Sequence, residues 1–128
     1  MEITIGMKGT AENTVERSDT AYEVGSGDLL VFATPCMVAL MEGAACNAIA
    51  AAMPEGKTSV GTMLNISHIA ATPVGMDVRA EAEVTEIDGN TITFTVSAYD
   101  ESGKIGEGIH KRVIITAQKF LDKVYAKL

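Results

Sequence analysis

The sequence predicts an α+β fold in which an antiparallel sheet wraps around a long central apolar helix. Three observations carry this reading. The stretch from Pro35 to Met53 is apolar apart from one ionisable residue, Glu42, and one amide, Asn47. Two later segments alternate apolar and polar residues at the period of a half-buried strand. Short polar turns follow them, of the kind that join antiparallel neighbours. With 128 residues, 47% hydrophobic and 21% charged, the chain has the size of a single domain, residues 1–128, and can bury a real core.

The elements follow in order. Thr10 to Arg17 reads as a weak strand and Ser18 to Asp28 as a polar, glycine-bearing loop. The helix starts at Thr34-Pro35: threonine is a good N-cap, and proline at the first helical position loses no needed hydrogen bond. Pro54-Glu55-Gly56 ends it. Its length alone would admit a membrane span. Alanine dominates it, however, Glu42 and Asn47 interrupt it, and no basic flank follows, so a buried helix enclosed on nearly every side is expected. Thr58 to Ala70 is a long strand carrying Val60, Met63, Leu64, Ile66 and Ile69. Val78, Ala80, Ala82 and Val84 alternate with Arg79, Glu81, Glu83 and Thr85. After the turn Asp88-Gly89-Asn90, Ile92, Phe94, Val96 and Ala98 repeat the pattern. Glu101-Ser102-Gly103 is a second turn before a strand from Lys104 to Ile115, and Thr116 to Leu128 forms a short amphipathic helix. One apolar helix followed by antiparallel strands is the arrangement of the hotdog fold. By analogy with that fold, the free sheet edge pairs with a second copy, giving a homodimer or a dimer of dimers.

Composition narrows the function classes. A formal net charge of -7 argues against general binding to nucleic acid or anionic membrane, while leaving room for an anionic ligand held by a few local Lys and Arg residues. Met1-Glu2-Ile3-Thr4-Ile5 lacks the basic then apolar run of a signal peptide, so a cytoplasmic location is expected. Cys36 and Cys46 are ten residues apart. On one helix that is roughly 15 Å, too far for a disulfide. No Cys/His cluster has zinc-ligand spacing, so no metal is expected.

Four polar side chains stand out. Glu42 has Val38, Ala39, Ala45 and Cys46 as helical neighbours one turn away, none able to pair with a carboxylate. It either faces solvent or, partly withdrawn from water, serves as a base or orients one. Thr34 is an N-cap, or its hydroxyl and the helix's free N–H groups face a reacting carbonyl. Some 12 Å of helix axis separates it from Glu42, so the two do not bond directly. His68, in the apolar strand Ile66-Ser67-His68-Ile69, is a hydrogen-bonded core histidine or a proton carrier. Arg112 shares a sheet face with His110 and is a surface ion pair or an anchor for a CoA phosphate. Cys36, in the first helical turn, has a dipole that can lower a thiol pKa, but reads more simply as a small core residue.

These segments resemble the hotdog thioesterases related to fluoroacetyl-CoA thioesterase. The matching stretches are Val31-Phe32-Ala33-Thr34, Met37-Val38-Ala39-Leu40-Met41-Glu42, Val60-Gly61-Thr62, the run from His68 to Gly75, and the run from Ile105 to Arg112. The likeness extends from about Glu12 nearly to the C-terminus. It implies Thr34, Glu42 and His68 as catalytic residues, Gly61 as a position whose missing side chain lets the thioester approach, and Arg112 near the ligand. The implied activity is hydrolysis of a short or small acyl-CoA thioester to acid and CoA, with CoA as substrate and no cofactor. The segment from Asp19 to Leu30 departs from the pattern: Gly25-Ser26-Gly27-Asp28, without aromatic residues, stands where the family's substrate-covering segment would lie. The alternatives are a non-catalytic acyl-CoA-binding protein and a hotdog enoyl-CoA hydratase. The latter is disfavoured because neither His68 nor His110 has an Asp a few residues before it.

Overall fold

The computed structural model describes residues 2–128. Five strands form one antiparallel sheet: β1 (Lys8–Thr14), β2 (Lys57–His68), β3 (Asp77–Asp88), β4 (Thr91–Asp100) and β5 (Gly103–Thr116), in the spatial order β1-β3-β4-β5-β2. The helices are α1 (Ala21–Val24), α2 (Thr34–Ile49) and α3 (Ala117–Tyr125), with α2 continued by a 3-10 turn over Ala50–Ala52. The alternation in β3 and β4 directs Val78, Ala80, Ala82, Val84, Ile92, Phe94, Val96 and Ala98 onto α2, whose Met37, Met41, Ala44, Ala45 and Ile49 they meet in the core. That packing fixes α2 across the concave face of the sheet.

β1 closes one flank of α2. A Cβ on Gly9 would run into the Ala44 and Ala48 backbone, so glycine there permits a close strand–helix approach. Asn47, the amide that interrupts the apolar helix, donates from Nδ2 to Thr10 O at 2.8 Å. The other flank is open. Pro35, Ala39 and Ala50 are exposed, and Glu42 and Cys46 are only half-buried. Within one chain α2 is therefore not enclosed on every side, contrary to the expectation from its composition. The strand on that side, β2, is an edge, with Leu64 and the following Ile69 exposed.

Three local expectations are corrected. Ala33, with extended backbone, is the N-cap of α2, and Thr34 is its first residue with no capping bond. The segment expected to be a loop folds into a 3-10 turn (Arg17–Asp19) and α1, whose N-cap Thr20 accepts from Glu23 N. The first strand runs earlier than expected, because residues 15–17 leave the sheet toward that turn.

Candidate active site

The sequence-predicted residues fall into two clusters at opposite ends of β2. At its C-terminal end, the last strand residue, His68, meets the first residue of α2: Thr34 Oγ1 lies 2.8 Å from His68 Nδ1. The hydroxyl donates when the ring carries its proton on Nε2. His68 Nε2 is buried and makes no hydrogen bond among the described residues. Burial lowers the His68 pKa below the ordinary 6.5, offset in part by the nearby Ala70 backbone, so the ring is a neutral base at physiological pH. Thr34 and His68 line a cavity of about 290 Å³ together with Ala21, Ser26, Val31, Phe32 and the Ile69–Ala71 loop. Ser26 belongs to the glycine-rich segment, which borders this cavity with small side chains only. A larger groove of about 630 Å³ lies among Glu12, Asp77, Arg79, Tyr99, Asp100 and Glu101. It is mostly acidic and holds none of these groups.

The helix N-terminus offers fewer free donors than its position suggests. Pro35 has no N–H, and Cys36 N and Met37 N both donate to Ala33 O at 3.0 Å. That leaves the N–H of Thr34 itself as the available first-turn donor. Cys36 is no thiolate candidate either: burial, and then the charge of Asp19, push its thiol pKa up.

The second cluster surrounds Glu42. Its partner comes from β5: Arg112 Nη1 donates to Glu42 Oε2 at 3.0 Å. Arg112 also donates from Nε to Ser59 Oγ at 2.8 Å and from Nη2 to Ser59 O at 3.1 Å. Only 8% of its side chain is exposed, against 34% for Glu42. Arg112 is thus a buried partner of Glu42 and not a surface ion pair. His110 completes the cluster. Its Nδ1 is 2.9 Å from Met63 O, a carbonyl that only accepts, so Nδ1 carries the proton and Nε2 accepts from Arg112 Nη1 at 3.2 Å. Burial depresses the His110 pKa, which fits this neutral tautomer. Gly61 makes the arrangement possible. A Cβ there would stand 2.6 Å from Glu42 Oε2 and 3.3 Å from His110 Cε1, at a point where β2 carries a bulge against β5. The carboxylate occupies the space over Gly61.

Within one chain the clusters do not meet. Gly61 and His68 are seven residues apart on β2, on the order of 20 Å along the strand. Glu42 bonds Arg112 and does not touch His68. Sequence reading missed Ser59 and His110 as members of the Glu42 cluster, although alternation along β5 had set His110 on the same face as Arg112.

A family model for fluoroacetyl-CoA-specific thioesterase matches residues 15–118, a span that contains both clusters. The chain belongs to that family. A fluoroacetyl-CoA thioesterase from Streptantibioticus cattleyicolor is 42% identical over 97 residues, 76% of this chain and 70% of its own length. A solved structure of the fluoroacetyl-CoA thioesterase FlK superposes with a TM-score of 0.93 at 34% identity, covering 100% of this chain and 99% of that one. A hot-dog-like protein from Thermanaerovibrio acidaminovorans, 23% identical, shares the fold with a TM-score of 0.88 over 98% of this chain and 93% of its own. As a member of the fluoroacetyl-CoA-specific thioesterase family, the chain is a hotdog-fold enzyme of acyl-CoA thioester hydrolysis.

Proposed function

We propose that Thr34 and His68 carry out the hydrolysis, and that Glu42 from a second copy of the chain completes their site. The 2.8 Å contact between Thr34 Oγ1 and His68 Nδ1 at the cavity wall carries this reading. A neutral His68 takes the proton of the attacking hydroxyl, which is Thr34 itself or a water bound beside it. The attack forms a C–O bond at the thioester carbonyl. The C–S bond then breaks and the CoA sulfur takes the proton back from His68. With Thr34 as nucleophile, water cleaves the resulting ester by the same proton path. The Thr34 N–H at the start of α2 stabilises the oxyanion.

Two observations support the second copy. His68 Nε2 is buried without a partner among the described residues, which is costly unless an acceptor reaches it. One flank of α2 lies open beside the edge strand β2. Antiparallel pairing of β2 with itself about a two-fold axis between Leu64 and Asn65 would set Gly61 of one copy opposite His68 of the other. The Glu42 carboxylate above Gly61 would then face Nε2–H and orient the ring. The same pairing would cover the exposed strand edge.

A cavity of about 290 Å³ ringed by Ala21, Ser26, Ala70 and Ala71 suits a short acyl group. The absence of aromatic side chains from Gly25 to Asp28 leaves fluoroacetyl-CoA as one member of a panel and no privileged one. The free Cys36 and Cys46 fit a reducing, cytoplasmic setting. The test is CoA-thiol release from a series of short acyl-CoAs by the wild-type protein and by Thr34→Ala. Turnover lost in the variant supports the reading. Binding of acyl-CoA without release of CoA would instead indicate a non-catalytic binding protein.

A further inference from the structure

The chain contains 10 Lys and Arg residues. Five of them are ion-paired: Lys8 with Glu83, Arg17 with Glu23, Arg79 with Glu81, Lys104 with Glu107, and Arg112 with Glu42. The others, Lys57, Lys111, Lys119, Lys123 and Lys127, have no carboxylate partner among the described residues. All but Lys111 lie toward the β5–α3 end of the chain's sheet. Lys57 opens β2, Lys111 lies in the second half of β5, and the remaining three are on or just past α3. Lys57 Nζ donates to Thr116 Oγ1 at 2.9 Å, which ties the start of β2 to the β5–α3 junction. Lys119 and Lys123 are four residues apart and so share one face of α3, and no residue of that helix is buried. Asp122, the acid on the helix, accepts instead from Gln118 Nε2 at 2.8 Å. In a chain of net charge -7, this leaves Lys57, Lys119 and Lys123 around the β5–α3 junction with no carboxylate partner among the described residues.

We infer that this patch, led by Lys119 and Lys123 with Lys57 beside them, binds the phosphates of the nucleotide end of acyl-CoA. The inference rests on the acyl-CoA reading above. CoA carries its reacting sulfur and its phosphates at opposite ends of a long pantetheine arm, so the anion site must lie apart from Thr34 and His68. Lys57 is four residues before Gly61 on β2, roughly 13 Å along the strand. In the paired arrangement Gly61 faces His68 of the other copy, which puts the patch of one copy beyond the reacting pair of its neighbour. Lysines are flexible point charges suited to such phosphates, and exposed charges of this kind change affinity and encounter rate more than they change chemistry.

The experiment compares the CoA, 3′-dephospho-CoA and pantetheine thioesters of one short acyl group, using the wild-type protein and the Lys119→Glu/Lys123→Glu double variant. Wild-type KM should rise stepwise along that series at nearly constant kcat. The double variant should raise KM for the CoA thioester on the order of 10-fold and leave the pantetheine thioester unaffected. Added salt should raise KM only where phosphates and lysines are both present. Equal KM for the CoA and pantetheine thioesters in the wild-type protein would overturn the inference, as would an unchanged CoA KM in a folded double variant. If no thioester is hydrolysed, the functional reading fails. Calorimetric binding of 3′-phosphoadenosine diphosphate, lost in the double variant, would still uphold the patch, and its absence in the wild type would reject it. Retention of the protein on anionic vesicles through the same lysines, with no dependence on the nucleotide, would assign the patch to a membrane surface and reject the inference.

Discussion

The two ends of β2 carry polar clusters of opposite character. At the Gly61 end, Glu42, Arg112, His110 and Ser59 satisfy one another: every guanidinium nitrogen has an acceptor, and the neutral imidazole uses both of its own. At the His68 end, Thr34 and His68 share a single hydrogen bond, Nε2 is left over, and a cavity opens beside them. A finished network rigidifies and holds a carboxylate in place, whereas an unfinished one is poised to act on something that arrives. On this account the finished cluster of one copy serves the unfinished cluster of another, and substitutions at the two ends should behave differently.

The largest effect is expected at the unfinished end. Thr34→Ala and His68→Ala should each lower kcat/KM by about 10²–10⁴ with little change in the urea midpoint, because both side chains sit at a cavity wall outside the core. The double variant should lose little more than the worse single one. Near-native rates in both single variants would remove them from the chemistry. A smaller effect is expected at the finished end from Gly61→Ala. The new methyl group meets the carboxylate end of the Glu42 side chain and no backbone, so the protein should fold while the carboxylate moves off Arg112. Activity should fall about 10-fold, through kcat more than KM. An unchanged rate would show that the carboxylate's position over Gly61 is immaterial.

How much of this was legible in the sequence depended on how local the governing interactions are. The β3 and β4 faces followed from alternation, and α2 from its long, largely apolar run, because each pattern lies within one continuous segment. The Glu42–Arg112 pair joins residues 70 apart and depends on the bulge near Gly61, which no periodicity announces. Thr34 looked like an N-cap because its residue type suits one. The hydroxyl is taken by His68, and the cap position falls one residue earlier. The helix looked wholly enclosed because its composition cannot say which flank the rest of the chain leaves open. The short helix Ala21–Val24 was missed although its cap, Thr20, is local, because four residues are too few to show a helical period.

The smallest effect separates the ends by pH. Burial depresses both His68 and His110 below 6.5, so below that pH the unfolded chain binds protons that the folded one resists. Stability should be complete above about pH 6.5 and decline as pH falls through the folded pKa values. Urea midpoints at about pH 7.5 and about pH 5.5 measure it. His110→Gln should flatten part of this slope without moving the acid limb of the rate, which belongs to His68 and should lie below 6.5. A rate profile that shifted with His110→Gln would couple the two clusters within one chain.

Subunit mixing tests the central claim most directly. Glu42→Gln and His68→Ala proteins, each nearly inactive alone, are unfolded together, refolded at equal concentration and assayed. A site built from His68 of one copy and Glu42 of the other predicts that every mixed dimer regains one intact site. Random pairing would then restore about a quarter of wild-type activity. If Thr34, His68 and Glu42 act within a single chain, or if Glu42 has no part in the chemistry, mixing will restore nothing beyond the sum of the two separate preparations.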